Sequence, residues 1–124
     1  MGDLTRNFSL REFRCTDGTS VPDDLRSNIL QLATNLQKLR DHLSKPIHVN
    51  SGYRTVIYNK SVGGATSSQH LYAKAADITI KDMKPKEVYQ TIEKLIGEGL
   101  MVQGGMGLYS SFVHYDIRGS KTRW

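Results

Sequence analysis

Cysteine occurs once in the 124 residues, at Cys15, so no intramolecular disulfide can form and no cysteine-based zinc knuckle is present. Cys15 is read as a core residue. No apolar run reaches the length of a bilayer span or of a signal-peptide hydrophobic stretch, and the opening MGDLTRNFSLREF is mixed in polarity. No stable membrane insertion is therefore expected. The chain as written is expected to be cytoplasmic as synthesised until another system exports or releases it, and extracytoplasmic if a leader has been omitted. Gly63-Gly64 is not part of a GxxxxGK[ST] phosphate loop, which ranks nucleotide binding low. Seventeen Lys and Arg against twelve Asp and Glu give a net charge of +5, but the basic residues are scattered and no aromatic platform accompanies them. Nucleic acid is not expected as a partner, and the charge favours anionic surroundings in general.

What is there suffices for one core. A chain of this length with 38% hydrophobic residues is expected to fold as a single domain spanning residues 1–124, and a monomer is expected. The segment Phe8 to Phe13 reads as a short amphipathic turn or helix. Ser20 to Asp24 offers helix-start residues around Pro22, and Leu25, Ile29, Leu32, Leu36, Leu39 and Leu43 trace one face of a helix ending near Ser44 or Lys45. Pro46 stops it, and Ile47 to Asn50 reads as a strand. A loop is expected from Lys60 to Ser68, and a strand begins at Ala75. A second helix is expected over Asp82 to Glu98, with Asp82 as cap and Pro85 early. Leu100 to Val102, Gly105 to Tyr109 and Phe112 to Ile117 read as closing strands, with Met101 and Met106 as core fillers. Trp124 either folds back or sits at an interface. The expected fold class is α+β, a mostly antiparallel sheet with helices packed on one face.

Chemistry concentrates in SSQHLYAKAAD, Ser67 to Asp77, which sets a histidine and an aspartate seven residues apart around a small-residue turn. With His114 in FVHYD, the trio His70, Asp77 and His114 offers two imidazoles and one carboxylate to a single tetrahedral Zn2+ with its fourth position open to water. Ala75 to Ile80 reads as the start of a strand and Phe112 to Ile117 alternates in the same way, and on a half-buried sheet an unpaired carboxylate is costly and a metal is one partner that satisfies it. Asp116 lies two residues beyond His114 and so shares its strand face. Arg54 follows a Gly-containing turn, and its fork suits a planar carboxylate.

Taken in order, SGYRT (residues 51–55), Asn59, GGA (63–65), SQH (68–70), AAD (75–77) and GLYSSFVHYD (107–116) resemble the M15 peptidases, across roughly Asn7 to Arg118. That group contains zinc D-alanyl-D-alanine carboxypeptidases, D,D-dipeptidases and peptidoglycan endopeptidases. The resemblance implies hydrolysis of a peptide bond in bacterial peptidoglycan, as an endopeptidase or a carboxypeptidase, with a peptidoglycan peptide as substrate. It implies substrate binding by Arg54 and Ser68, with Gln69 doing the same or orienting a ligand. Tyr53 and Asn59 are read as support for the local fold. Many relatives resemble ExxH or DxxH where this chain has Ser111, so the general base is assigned to Asp116 on the HxD form of smaller members. The competing role for Asp116 is orientation of a metal ligand. A cell-wall hydrolase without its own export signal resembles a phage endolysin. The alternative is a noncatalytic zinc-bearing recognition module, since hedgehog signalling domains resemble this fold and zinc geometry.

Overall fold

Two long helices form because their apolar residues recur at helical spacing, and both press those residues onto one face of a sheet. The computed structural model describes residues 2–124. Helix α1, Arg26–Leu43, follows a 3-10 turn at Asp23–Leu25 and buries Ile29, Leu32, Ala33, Leu36 and Leu39. It stops where Ser44 turns left-handed (φ 54°) and donates its N–H to Arg40 O, with Pro46 beyond. Helix α3, Pro85–Gly97, buries Val88, Ile92 and Leu95. Its cap is Lys84, whose N–H donates to the Glu87 carboxylate at 2.8 Å. Asp82, expected to cap this helix, instead occupies a left-handed turn (φ 66°) that reverses the chain after the preceding strand.

The strands are β1 (Ile47–Ser51), β2 (Ala75–Ile80), β3 (Gly105–Leu108), β4 (Val113–Asp116) and β5 (Thr122–Arg123). They form one sheet in the order β1-β2-β4-β3-β5, antiparallel except where β5 runs parallel to β3. This is the expected α+β arrangement. Alternation along β2 and β4 divides the sheet. Ala76, Ile78, Ile80, Val113 and Tyr115 join Met106 and the buried stripes of α1 and α3 in one hydrophobic cluster, while Asp77, His114 and Asp116 point to the other face. Cys15 and Met101 are also buried.

Leu100 to Val102 is not a strand. The Leu100 and Met101 N–H groups both donate to Leu95 O at the end of α3, and the Val102 N–H donates to Asn35 Oδ1 at 2.8 Å. Backbone donors so committed cannot enter a ladder. The buried Asn35 also donates to Gln31 O, so the one polar residue in the stripe of α1 is satisfied by tying that helix to the 100–103 segment. Two short elements flank the loop expected from Lys60 to Ser68. Helix α2, Val56–Ser61, is capped by the Thr55 hydroxyl accepting from Tyr58 N–H, and a 3-10 turn spans Gln69–Tyr72. Both are too short to display a period, and their signals are single capping hydroxyls. No helix among the described residues is long and apolar enough to cross a membrane.

Candidate metal centre

The sheet register brings two of the three expected ligands together. Asp77 of β2 stands opposite His114 of β4, and His114 Nδ1 lies 3.0 Å from Asp77 Oδ1. The third comes from the 69–72 turn. The Ser68 hydroxyl starts that turn by accepting from His70 N–H at 3.2 Å, Ala73 ends it in a left-handed conformation (φ 56°), and His70 Nε2 comes to 3.3 Å from Asp77 Oδ1. The three ligand atoms all lie within 4.8 Å of one another, and the residues are buried.

Hydrogen bonds on the outer sides of the rings fix which nitrogens face inward. Gly52 O can only accept, so the His70 Nδ1 it meets at 2.7 Å carries the proton and Nε2 is left with its lone pair. His114 Nε2 lies 2.7 Å from Asp116 Oδ2. Burial alone would raise the Asp116 pKa, but hydrogen bonds from His114, Arg118 and Gly105 hold it well below the usual carboxylate range, so the carboxylate is ionised and accepts from Nε2–H. The Nδ1 lone pair of neutral His114 therefore faces Asp77. Asp77 is ionised as well: burial opposes its charge, and the bonds to His114 and His70 outweigh that and lower its pKa. With both rings neutral, three electron-pair donors converge with no donor hydrogen between them, whereas in the metal-free site ring protons donating to Asp77 fill that place. Such a set repels itself unless a positive charge sits among its members, so it fits a metal cation. Without one, a proton serves. Burial lowers the His114 pKa, while the hydrogen bonds to Asp116 and Asp77 raise it further, for a net rise.

Arg54 supplies the next layer. Its guanidinium donates to Asp77 Oδ2 at 3.3 Å, Ser51 Oγ at 3.1 Å and Asn59 Oδ1 at 3.2 Å. Asn59 in turn donates to Ala65 O, the fold-supporting role expected of it. Part of the Arg54 fork is therefore committed to the Asp77 carboxylate, although the residue still lines the cleft. That cleft, about 300 Å³, is bordered by His70, Asp77 and His114, by Ser68 and the 63–65 loop, and by Tyr109, Phe112 and Trp124. Gln69 does not line it. Its main-chain carbonyl instead accepts from Lys74 N–H.

Asp116 does not reach the cluster. It is fully buried behind His114, bonded to the ring nitrogen that points away from Asp77. Oδ1 accepts from Gly105 N–H and Arg118 Nε–H, and Oδ2 accepts from Arg118 as well as from His114. A carboxylate with its lone pairs so occupied and its pKa so low is placed to orient a ligand, the competing role, and poorly placed to take a proton from water in the cleft.

Arg118 and Trp124 were not picked out as site residues. A signal for Arg118 exists in the alternation of β4, because a buried Asp at position 116 demands a charged partner nearby. Trp124 is found only through β5. Its main-chain N–H donates to Met106 O, and its ring centroid lies 4.9 Å from that of His114. Two glycines leave the room these residues use. A Cβ at Gly105 would collide with the Asp116 carboxylate, and one at Gly107 with the Trp124 indole.

Comparison with known proteins points the same way as the geometry. A curated relative, the zinc D-Ala-D-Ala carboxypeptidase of Streptomyces albus G, is 46% identical over 78 residues, which cover 58% of this chain and 31% of that protein. The chain therefore spans less than a third of the length of the curated relative it matches. The sequence profile described as Peptidase M15 matches residues 6–116, a span that contains the whole His70, Asp77 and His114 cluster. With nearly its full length matched and the metal-binding trio assembled on one face of the sheet, the chain belongs to the peptidase M15 family.

Proposed function

We propose that the protein is a zinc metallopeptidase that hydrolyses a peptide bond in bacterial peptidoglycan, within the stem or cross-link or at a D-alanyl-D-alanine end. The observation that carries this reading is the convergence of three inward-facing electron-pair donors at the floor of an open cleft, in a chain of this family. Zinc, when bound, supplies a Lewis acid that polarises a peptide carbonyl and acidifies water. The rest falls to the chain itself. His70, Asp77 and His114 would hold the ion. Gly52 O and Asp116 keep the two imidazoles in the tautomers that face it.

Arg54 balances the charge of Asp77 and retains N–H groups beyond the three used internally, which would meet a substrate carboxylate or carbonyl. Ser68 stands at the mouth as a hydrogen-bonding group. Asp116 is assigned to holding His114, in place of the general-base role.

A second reading, a noncatalytic zinc-bearing wall-recognition module, is favoured by one observation: Asp77 is the sole carboxylate among the residues lining the cleft. Digestion of purified peptidoglycan with and without chelator, with the products weighed by mass spectrometry, tests the proposal. Zinc-dependent release of new amino and carboxyl ends is expected, and the masses identify the bond. Zinc-loaded protein that binds peptidoglycan and leaves it uncut would establish the recognition module instead.

A further inference from the structure

Three aromatic side chains border the cleft in a fixed arrangement without belonging to the hydrophobic core. Tyr109 and Phe112 stack with centroids 4.3 Å apart and planes at 12°, and Trp124 donates its indole N–H to the Tyr109 hydroxyl at 2.8 Å. Tyr109 and Trp124 remain 41% and 47% exposed. Exposure here is not looseness. The Trp124 N–H donates to Met106 O, its carbonyl accepts from Leu108 N–H, and Gly107 leaves out the Cβ that would displace the indole. Rigid aromatics that still face water are a prepared apolar surface, because the cost of ordering them is already met while their desolvation gain is still available to a ligand.

Outside the metal cluster, the remaining lining is Arg54, Ser68 and the small residues Gly63, Gly64 and Ala65. A peptide laid over the metal cluster would present oxygen atoms to Arg54 and Ser68 and a side chain to the aromatic wall. We propose that Tyr109, Phe112 and Trp124 form a subsite for an uncharged aliphatic side chain of the residue flanking the scissile bond, a reading that rests on the peptidase assignment above. An ammonium-tipped side chain is disfavoured, because the Arg118 guanidinium already lies 5.5 Å from the Trp124 ring and Lys84 and Lys86 border Tyr109 on its outer side. The wall therefore selects methyl groups and methylene chains whose terminal amine has been acylated.

Trp124 is the only tryptophan in the chain, so its fluorescence reports occupancy of this wall without any turnover. Zinc-loaded and chelator-treated protein would each be titrated with a stem pentapeptide whose diamino-acid side chain is acetylated, with the free-amine pentapeptide, and with an N-acetylglucosamine tetrasaccharide. The acetylated peptide is expected to give a saturable change in Trp124 emission, the free amine a weaker affinity, and the sugar no change. Phe112→Ala, which removes half of the stacked pair and leaves all three candidate ligands in place, should weaken binding of the acetylated peptide about fivefold at unchanged zinc content. If that variant folds poorly, Tyr109→Phe keeps the ring, frees the indole, and should weaken binding about twofold. Cleavage of the peptide with Trp124 emission unmoved would overturn the wall and leave the peptidase assignment standing. A saturable response without cleavage would keep the wall and remove the assignment. A response to the tetrasaccharide alone would give the wall to glycan and overturn the aliphatic subsite.

Discussion

The two faces of the central sheet are one residue out of step along the same strands and obey different rules. Toward α1 and α3, Ala76, Ile78, Val113 and Tyr115 are fully buried with apolar neighbours, and the one polar atom, the Tyr115 hydroxyl, donates to Val102 O at 2.7 Å. On the opposite face Asp77, His114 and Asp116 are nearly as buried, yet each is held by directed bonds to named partners. No buried side-chain nitrogen or oxygen among the described residues lacks a partner. Burial on the first face is non-directional and contributes about 1.5 to 3 kcal/mol for each large side chain. On the second it is favourable only while every charge keeps its counterpart. One face thus stores stability and the other stores orientation, so the two should fail in different ways when changed.

The largest separation is expected from His70→Ala. Loss of one of three ligands should abolish stoichiometric zinc and detectable hydrolysis, while thermal melting in the presence of chelator changes little. Metal analysis beside a melting curve checks this, and equal zinc in variant and wild type would remove the ligand assignment. Asp116→Asn comes next. It keeps the size of the side chain but gives up the ionised acceptor for His114 and Arg118, so zinc affinity should fall about 10- to 100-fold with activity restored by excess zinc. A general base would behave otherwise: turnover lost on the order of 100-fold with zinc retained.

Arg54→Lys keeps the charge beside Asp77 and loses the fork, and a drop in kcat/KM of about tenfold is expected, with zinc content near wild type. Kinetics on the peptide that peptidoglycan digestion identifies would measure it. The smallest effect on the site is expected from the other face. Ile78→Ala should cost about 3 kcal/mol in denaturant unfolding while zinc stoichiometry and activity per folded molecule stay the same.

Acidity sharpens the contrast further, since the carboxylates and imidazole that titrate from acid to neutral pH lie on the polar face, while the buried Tyr115 hydroxyl on the other face is pushed to a higher pKa. The Asp77 and Asp116 pKa values are lowered in the fold, so their contribution is fully present above the ordinary carboxylate value and is lost as pH falls below it. The His114 pKa is raised, so in the metal-free protein its contribution is present below the ordinary histidine value and disappears as pH rises through the folded one. Zinc needs the neutral imidazole, so bound metal should reverse the histidine trend. The stabilisation that zinc adds to the melting temperature should grow as pH is raised from about 6 to 8. A zinc-induced shift independent of pH over that range would speak against His114 as a ligand.

Much of the site was legible because strand alternation is local. VHYD and AADI carry their two faces in the order of their letters, and a histidine and an aspartate in such strands, with His70 in the turn just before the second, already point to a metal. The long helices were equally plain from their spacing. What could not be read were features settled by which partner a group finds. Asp116 shares a strand face with His114, as its position requires, but whether it looks into the cleft or behind the ring depends on Arg118 and Gly105 meeting it there. Likewise, helix propensity did not reveal that Lys84 would cap α3 while Asp82 makes the turn. Leu100 to Val102 has the composition of a strand, and the end of α3 together with Asn35 claims its backbone.

The sequence by itself determined the candidate ligand residues through their chemistry and motif order, and the apolar stripes and the strand alternation through a periodicity that backbone geometry imposes. Only the tertiary structure decided the inward-facing nitrogen of each histidine, the commitment of Arg54 to Asp77, the withdrawal of Asp116 behind His114, and the arrival of Trp124 beside the cluster. Each of these depends on contacts between residues distant in the chain or on the space a glycine leaves, and a hydrogen bond or a collision exists only once both partners are in place.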